Sequence, residues 1–236
     1  MKLWKRFKRS YEKRALDCVE ENIIGRQNRI NFSITLLPVI KGLFLDIGSA
    51  DGLLLEKVGA DVVTGTDISL SYCKKMRQKG IEVVNCAGER LPLADGTFDT
   101  ITCTEVLEHV LYPDNVINEI YRVLKNGGYV LFSVPYSERL AAHSCGKYEF
   151  AHLRAFDEKF AETLSDTFTI KLVKYYAFRI ILIRFHNVLV NRVVNLIWKI
   201  HTLRSFFVSY HKHVKFLNIT RYIKPTYMLI LAFKKL

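Results

Sequence analysis

Five short apolar runs, Leu43–Ile47, Val62–Thr66, Glu82–Cys86, Thr100–Cys103 and Tyr129–Val134, are separated by stretches of helical spacing near 52–59, 69–79, 104–124 and 156–166. Short uninterrupted apolar runs read as strands buried on both faces. Their alternation with helices predicts an α/β fold, a parallel sheet covered on both sides. Asn126-Gly127-Gly128 is read as the stop of the fourth helix and the turn into the fifth strand. Ile170–Tyr175 and Tyr227–Phe233 are two further strand-like runs. Ahead of the core, Trp4, Phe7, Tyr11 and Leu16 recur at near-helical spacing among basic residues, the pattern of an amphipathic leading helix. Between the last two strands, Arg184, Asn187, Asn191, Asn195, Lys199 and Thr202 form a narrow polar stripe on a helix otherwise apolar. The expected organisation is basic amphipathic helices over 1–40, a core over 41–176, a basic apolar helical insertion over 177–224 and a last core strand over 225–236.

Charge sharpens this division. The net charge of +12 is made of +6 in residues 1–14, +13 after Asp166 and −7 between them. An acidic body flanked by basic ends implies an anionic surface nearby, lipid headgroups or nucleic acid. The N-terminus lacks the apolar run of a signal peptide, and no stretch reaches the ~18 apolar residues of a spanning helix. Five scattered cysteines without CxxC spacing argue against a disulfide framework and a cysteine zinc site, which makes a reducing cytoplasm the expected location.

The densest chemical information lies in Leu45-Asp46-Ile47-Gly48-Ser49-Ala50-Asp51-Gly52. A strand ends in an acid, and a small-residue turn follows in which Gly48 and Gly52 let backbone approach a ligand. The dinucleotide fingerprint GxGxxG needs a third glycine where Leu53 stands, so its phosphate-binding turn is absent. Asp46 would repel a pyrophosphate and favour a ligand carrying an ammonium and a sulfonium. Asp67 closes the second strand, where an acid can accept from ribose hydroxyls. The loop Cys86–Pro92 follows the third strand, where it would flank an adenine.

The ordered set LDIGSADG, TGTDIS, GERLPLADGTFDTITCTEVLEHV and LKNGGYVLFSVP, over about residues 43–135, resembles the class I S-adenosylmethionine-dependent methyltransferases of the small-molecule and lipid-modifying kind. The resemblance implies a Rossmann-like, seven-stranded, mostly parallel sheet with an antiparallel last strand. It places Asp46, Gly48 and Gly52 around the methionine part of the cofactor, Asp67 at the ribose, and Gly88 and Glu89 at the adenine, with Ala50, Ile68 and Thr104 also in the cofactor site. Ala50 replaces the usual middle glycine. Ala87 stands where many relatives have an acid toward the adenine amino group, so that contact is not carried over.

Methyl transfer needs a base mainly when the acceptor is a hydroxyl. Glu105, Glu108 and His109, at i, i+3 and i+4 of the expected fourth helix, would share one face at the carboxyl edge of the sheet. This ExxEH pattern is similar to that of ubiquinone-biosynthesis O-methyltransferases and small-RNA 2′-O-methyltransferases that use a metal. Three readings stay open: a divalent ion (not the favoured one), His109 as a base, or a structural role. His152, in a segment resembling the one before the family's sixth strand, is the fourth catalytic candidate, and His143 a weaker one. The basic insertion, with Trp4, Phe7 and Trp198 as interfacial anchors, points to a lipophilic or membrane-associated small acceptor, handled at an anionic membrane surface. The alternatives are a polar small molecule, RNA, or a non-catalytic subunit of the same fold.

Overall fold

The computed structural model describes residues 5, 8–13, 23–38, 40–137, 152–176 and 227–235. Helix α1 (Ile23–Leu36) precedes β1 (Leu43–Ile47), β2 (Val62–Asp67), α2 (Leu70–Gln78), β3 (Glu82–Asn85) and β4 (Phe98–Thr104). Helix α3 (Pro113–Val123) then leads into β5 (Leu124–Pro135), α4 (Lys159–Ser165), β6 (Thr169–Tyr176) and β7 (Tyr227–Phe233). The strands form one seven-stranded sheet in the order β3-β2-β1-β4-β5-β7-β6. The first five pair in parallel, and β7 lies antiparallel between β5 and β6. This is the Rossmann-like α/β architecture expected from the sequence.

Side-chain alternation along each strand explains the two covered faces. In β1, Phe44 packs with Ile30 of α1 and with Leu54, Leu55 and Met76, while Leu45 and Ile47 pack with Val116 and Ile120 of α3. In β7, Leu229 and Leu231 join Leu131, Tyr176, Phe32 and Leu36, while Met228, Ile230 and Ala232 face the α3–α4 side. Helix α1 therefore lies over one face, with Phe32 stacked on Tyr176 at 5.0 Å.

Three expected elements differ from those observed. The helix expected over 52–59 is only a 3-10 turn, Leu55–Lys57. The helix expected over 104–124 begins at Pro113, because Glu105 is in the left-handed region (φ 57°) and its N–H donates to Ser133 O instead of entering a helix. Asn126-Gly127-Gly128 does not end the helix, which stops at Val123. The three residues lie within β5, where Gly127 (φ 74°) donates to Lys234 O and the β4–β5 register shifts. Trp4, Phe7, Leu16, His143 and the insertion 177–224 with its polar stripe and Trp198 lie outside the described residues. No helix among the described residues is long and apolar enough to cross a membrane.

Candidate active site

A cavity of about 420 Å³ opens at the carboxyl ends of β1, β2, β4 and β5. Open parallel sheets bind ligands at this edge, because the loops leaving the strands diverge there. Asp46, Gly48, Ala50, Asp67, Ile68, Gly88, Glu89, Thr104, Glu105, Glu108, His109 and His152 all line it. Gly52 does not. Its φ of 79° and the nearness of Ile81 Cδ1 and Met76 Cγ, 2.8 and 3.0 Å from a hypothetical Cβ, make it a packing requirement of the turn.

The turn after β1 is built around two buried carboxylates. Asp46 accepts from Thr102 Oγ1 at 2.6 Å, and burial pushes its carboxyl up to about 7. Asp67 accepts from Ala50 N at 2.9 Å and Ser69 N at 2.8 Å, which ties the end of β2 to the β1 turn. Burial raises its carboxyl to about 6 against those two bonds. Gly48 and Ser49 both donate to Thr66 O, and Ser49 Oγ donates to Asp46 O at 2.7 Å. Two acids held in one desolvated cavity favour a ligand that brings positive charge.

Beyond β4 the chain makes a tight turn, not a helix. Glu105 turns toward β5, where Ser133 Oγ donates to its Oε1 at 2.8 Å. Glu108 is fully buried, its carboxylate 3.8 Å from His109 Nε2. His152 meets His109 edge-to-face at 4.6 Å. Ligand atoms of Glu108, His109 and His152 lie within 4.8 Å of one another. The structure thus groups one carboxylate with two imidazoles, whereas the sequence spacing grouped two carboxylates with one imidazole. The grouping depends on Arg154, which donates to the carbonyls of Leu107 at 2.6 Å, Val110 at 2.5 Å and Leu111 at 3.2 Å. With Leu153 N on Glu108 O at 2.7 Å, this clamps the segment bearing His152 against the turn bearing His109.

Several cavity residues carry no local signal. Arg26, Arg29 and Ser33 come from α1, Tyr11 from the helical residues 8–13, and Tyr227 from the start of β7. Arg26 forks onto Asp51 through Nη1 at 3.0 Å and Nη2 at 2.5 Å. Glu12 accepts from the backbone N–H of Leu70 and of Ser71, at the first turn of α2. Tyr11, beside it, meets His109 edge-on at 5.9 Å. Apolar periodicity could place α1 and β7, but not reveal that both reach the same cavity.

Residues 45–132 match a family model described as a methyltransferase domain. The ubiquinone biosynthesis O-methyltransferase of Bordetella avium is 36% identical over 99 residues, covering 38% of this chain and 41% of that protein. Among solved structures, the chain is similar to a methyltransferase in complex with the Haloferax volcanii Trm112 methyltransferase activator, with a TM-score of 0.69 at 17% identity over 96% of this chain and 98% of that one. An S-adenosylmethionine-dependent methyltransferase of Thermotoga maritima gives a TM-score of 0.66 at 18% identity over 97% and 100% of the two chains. The chain spans about half the length of the curated relatives it matches.

Proposed function

We propose that this chain, a class I methyltransferase by its domain and fold, transfers the methyl group of S-adenosylmethionine to a lipophilic small acceptor. The observation that carries the reading is the pair of desolvated acids, Asp46 and Asp67, held by the Gly48 turn in a cavity that continues to His109 and His152. These residues fit a ligand with an ammonium and a sulfonium and no phosphate. Asp46 holds the charged methionine end, Asp67 accepts from the ribose, and Gly88 and Glu89 border the adenine. Bound there, S-adenosylmethionine supplies an electrophilic methyl group.

The chain's own contribution is orientation, exclusion of water and handling of one proton. In this reading His152, edge-to-face with His109 in the same cavity, is the base that takes the proton of an acceptor hydroxyl, and the Glu108 carboxylate lies 3.8 Å from His109 Nε2. The lipophilic acceptor is supported by the basic, apolar insertion in the sequence and by the similarity to proteins named ubiquinone biosynthesis O-methyltransferases. The same insertion and the basic N-terminus suit attachment to an anionic membrane surface.

The test is incubation of the purified chain with methyl-labelled S-adenosylmethionine and a whole-cell extract, followed by partition of the label. Label in the organic phase, lost in Asp67→Ala, is the expected result. Label in RNA or in polar solutes would reject the lipophilic acceptor.

A further inference from the structure

We infer that Glu119 and Arg122 of α3 are positioning residues for the base of the methyl donor: by gripping the peptide of Leu91 they set how strictly the loop after β3 distinguishes adenine from other purines. This rests on the methyl-transfer reading and deepens it at the adenine end of the same site.

Cys86, Ala87, Gly88 and Glu89, in the loop that follows β3, line the cavity. Ala87 brings no polar side chain, so an adenine held here is read by the backbone of residues 87–89 and by Glu89. Adenine presents an acceptor at N1 and a donor at its 6-amino group, and hypoxanthine presents the reverse. A fixed donor or acceptor rejects the reversed pattern, because a desolvated polar group is left unpaired. A group that can shift re-pairs with either base. Strictness therefore depends on how firmly the loop is held.

The loop is pinned at both ends. At its start Cys86 N–H donates to Asp67 O at 3.2 Å, and Arg90 N–H closes a turn onto Ala87 O at 3.1 Å. At its end Leu91 is buried and belongs to one core with Val116 and Ile120 of α3. The same helix takes the N–H and the carbonyl of its backbone. Leu91 N–H donates to Glu119 Oε2 at 2.6 Å, and Leu91 O accepts from Arg122 Nη2 at 2.9 Å. Arg122 Nη1 donates to Leu93 O at 2.7 Å and to Asp95 Oδ1 at 2.6 Å. Its Nε and Nη2 donate to the two carboxylate oxygens of Glu119 at 2.9 and 2.8 Å. All five N–H groups of the guanidinium are thereby spent. Neither side chain lines the cavity. The pair acts through the loop and not on the ligand.

Loss of a merely structural brace lowers the affinity for every nucleoside alike, whereas loss of a positioning brace falls on adenine. Calorimetric titration with S-adenosylhomocysteine and S-inosylhomocysteine, in which an oxygen replaces the 6-amino group of the base, separates the two. Wild type should prefer the adenine compound by about a hundredfold or more. Arg122→Met and Glu119→Gln should each cut that ratio by about tenfold, mainly through weaker binding of S-adenosylhomocysteine, with Arg122→Lys in between. Lys125→Met removes the 2.8 Å pair with Asp99 at the amino end of β4, away from the cavity, and is the control for destabilisation. Its ratio should stay within about twofold of wild type. A ratio within about threefold of wild type in Arg122→Met or in Glu119→Gln would overturn the inference. So would an equal fall in Lys125→Met, or equal binding of the two compounds by wild type. Should Arg122→Met fail to fold, Glu119→Gln decides alone. Binding of neither compound by wild type would sink the methyl-donor reading and the inference with it, whereas every other outcome leaves that reading standing.

Discussion

Binding of S-adenosylmethionine should expel a proton from Asp46 and weaken as the pH falls below 7. Asp46 is 3% exposed, and burial lifts its carboxyl from 3.8 to about 7 despite the Thr102 and Ser49 bonds and the Arg26 charge. The free protein thus holds Asp46 largely protonated below pH 7. Asp46 therefore leaves the free fold most stable below pH 3.8, and that contribution is lost as the pH rises toward 7. The difference, about three pH units, corresponds to ~4 kcal/mol. An ammonium or sulfonium at ~4 Å contributes about as much at an effective dielectric near 20, so the complex restores the carboxylate. Ionisation of half the carboxyls at pH 7 and roughly a tenth at pH 6 gives about a fivefold loss of affinity over that unit, approaching tenfold per unit below it. Asp67, raised to about 6, steepens the fall. Above roughly pH 8 the ligand's own amine deprotonates, so affinity should peak near neutrality. Calorimetric titration between pH 5.5 and 8.5 (about) in two buffers of different ionisation enthalpy reads both the affinity and the proton released. Asp46→Asn should flatten the slope between pH 6 and 7 and bind more weakly at pH 7.5. A wild-type affinity constant within about twofold from pH 5.5 to 7.5, with no proton release, would refute the argument.

Gly48→Ala should destabilise the fold by about 2 kcal/mol and weaken donor binding, because φ is 71° and the new Cβ would sit 2.4 Å from Val106 Cγ2; chemical denaturation measures the first effect and calorimetry the second. Replacing His152 with Ala should lower the rate of label transfer by about a hundredfold or more, with donor affinity unchanged; a rate within about threefold of wild type would remove it from the proton path. Substitution of Arg154 by Met strips the carbonyls of Leu107, Val110 and Leu111 of a charged donor, so a loss of about 2 kcal/mol is expected with a drop in turnover exceeding that in donor affinity. Arg122→Met should unfasten the loop after Gly88, since Arg122 donates to Leu91 O at 2.9 Å and Leu93 O at 2.7 Å and pairs with Glu119; a fall in thermal midpoint of about 2–4 °C is expected.

The strands were legible because a sheet covered on both faces demands largely apolar runs, and Leu43–Ile47 and Tyr227–Phe233 match the observed strands residue for residue. The segment 104–112 was misread because Glu-Val-Leu-Glu-His has good helical composition. Its conformation is instead decided by a tertiary bond, Glu105 N–H to Ser133 O, that local sequence does not encode. Pro113 was the available corrective, since proline favours the first position of a helix. The glycine turn and the acids ending β1 and β2 could be picked out because a backbone that passes close to a ligand constrains residue type within a few positions. The grouping of His109 with His152, and the arrival of Arg29 and Tyr227 at one cavity, come from residues 43 and 198 positions apart. Such contacts follow from topology rather than from any local pattern.

The placement of β7 between β5 and β6 bears on assembly. Residues 227–233 pair with both β5 and β6, so β5 lacks its second neighbour, and β6 lacks a partner in the sheet, until that segment has been synthesised. Until then two strand edges remain open to other chains, an aggregation hazard that a chaperone or rapid docking would have to cover. Once β7 is seated, its pairing with β5 and β6 holds residues 176 and 227 side by side, which fixes the two ends of the connection between them. Loop closure depends only logarithmically on length, and halving the connection changes its entropy by about 0.6 kcal/mol. A change in the length of that connection therefore costs the closure of the sheet little entropy.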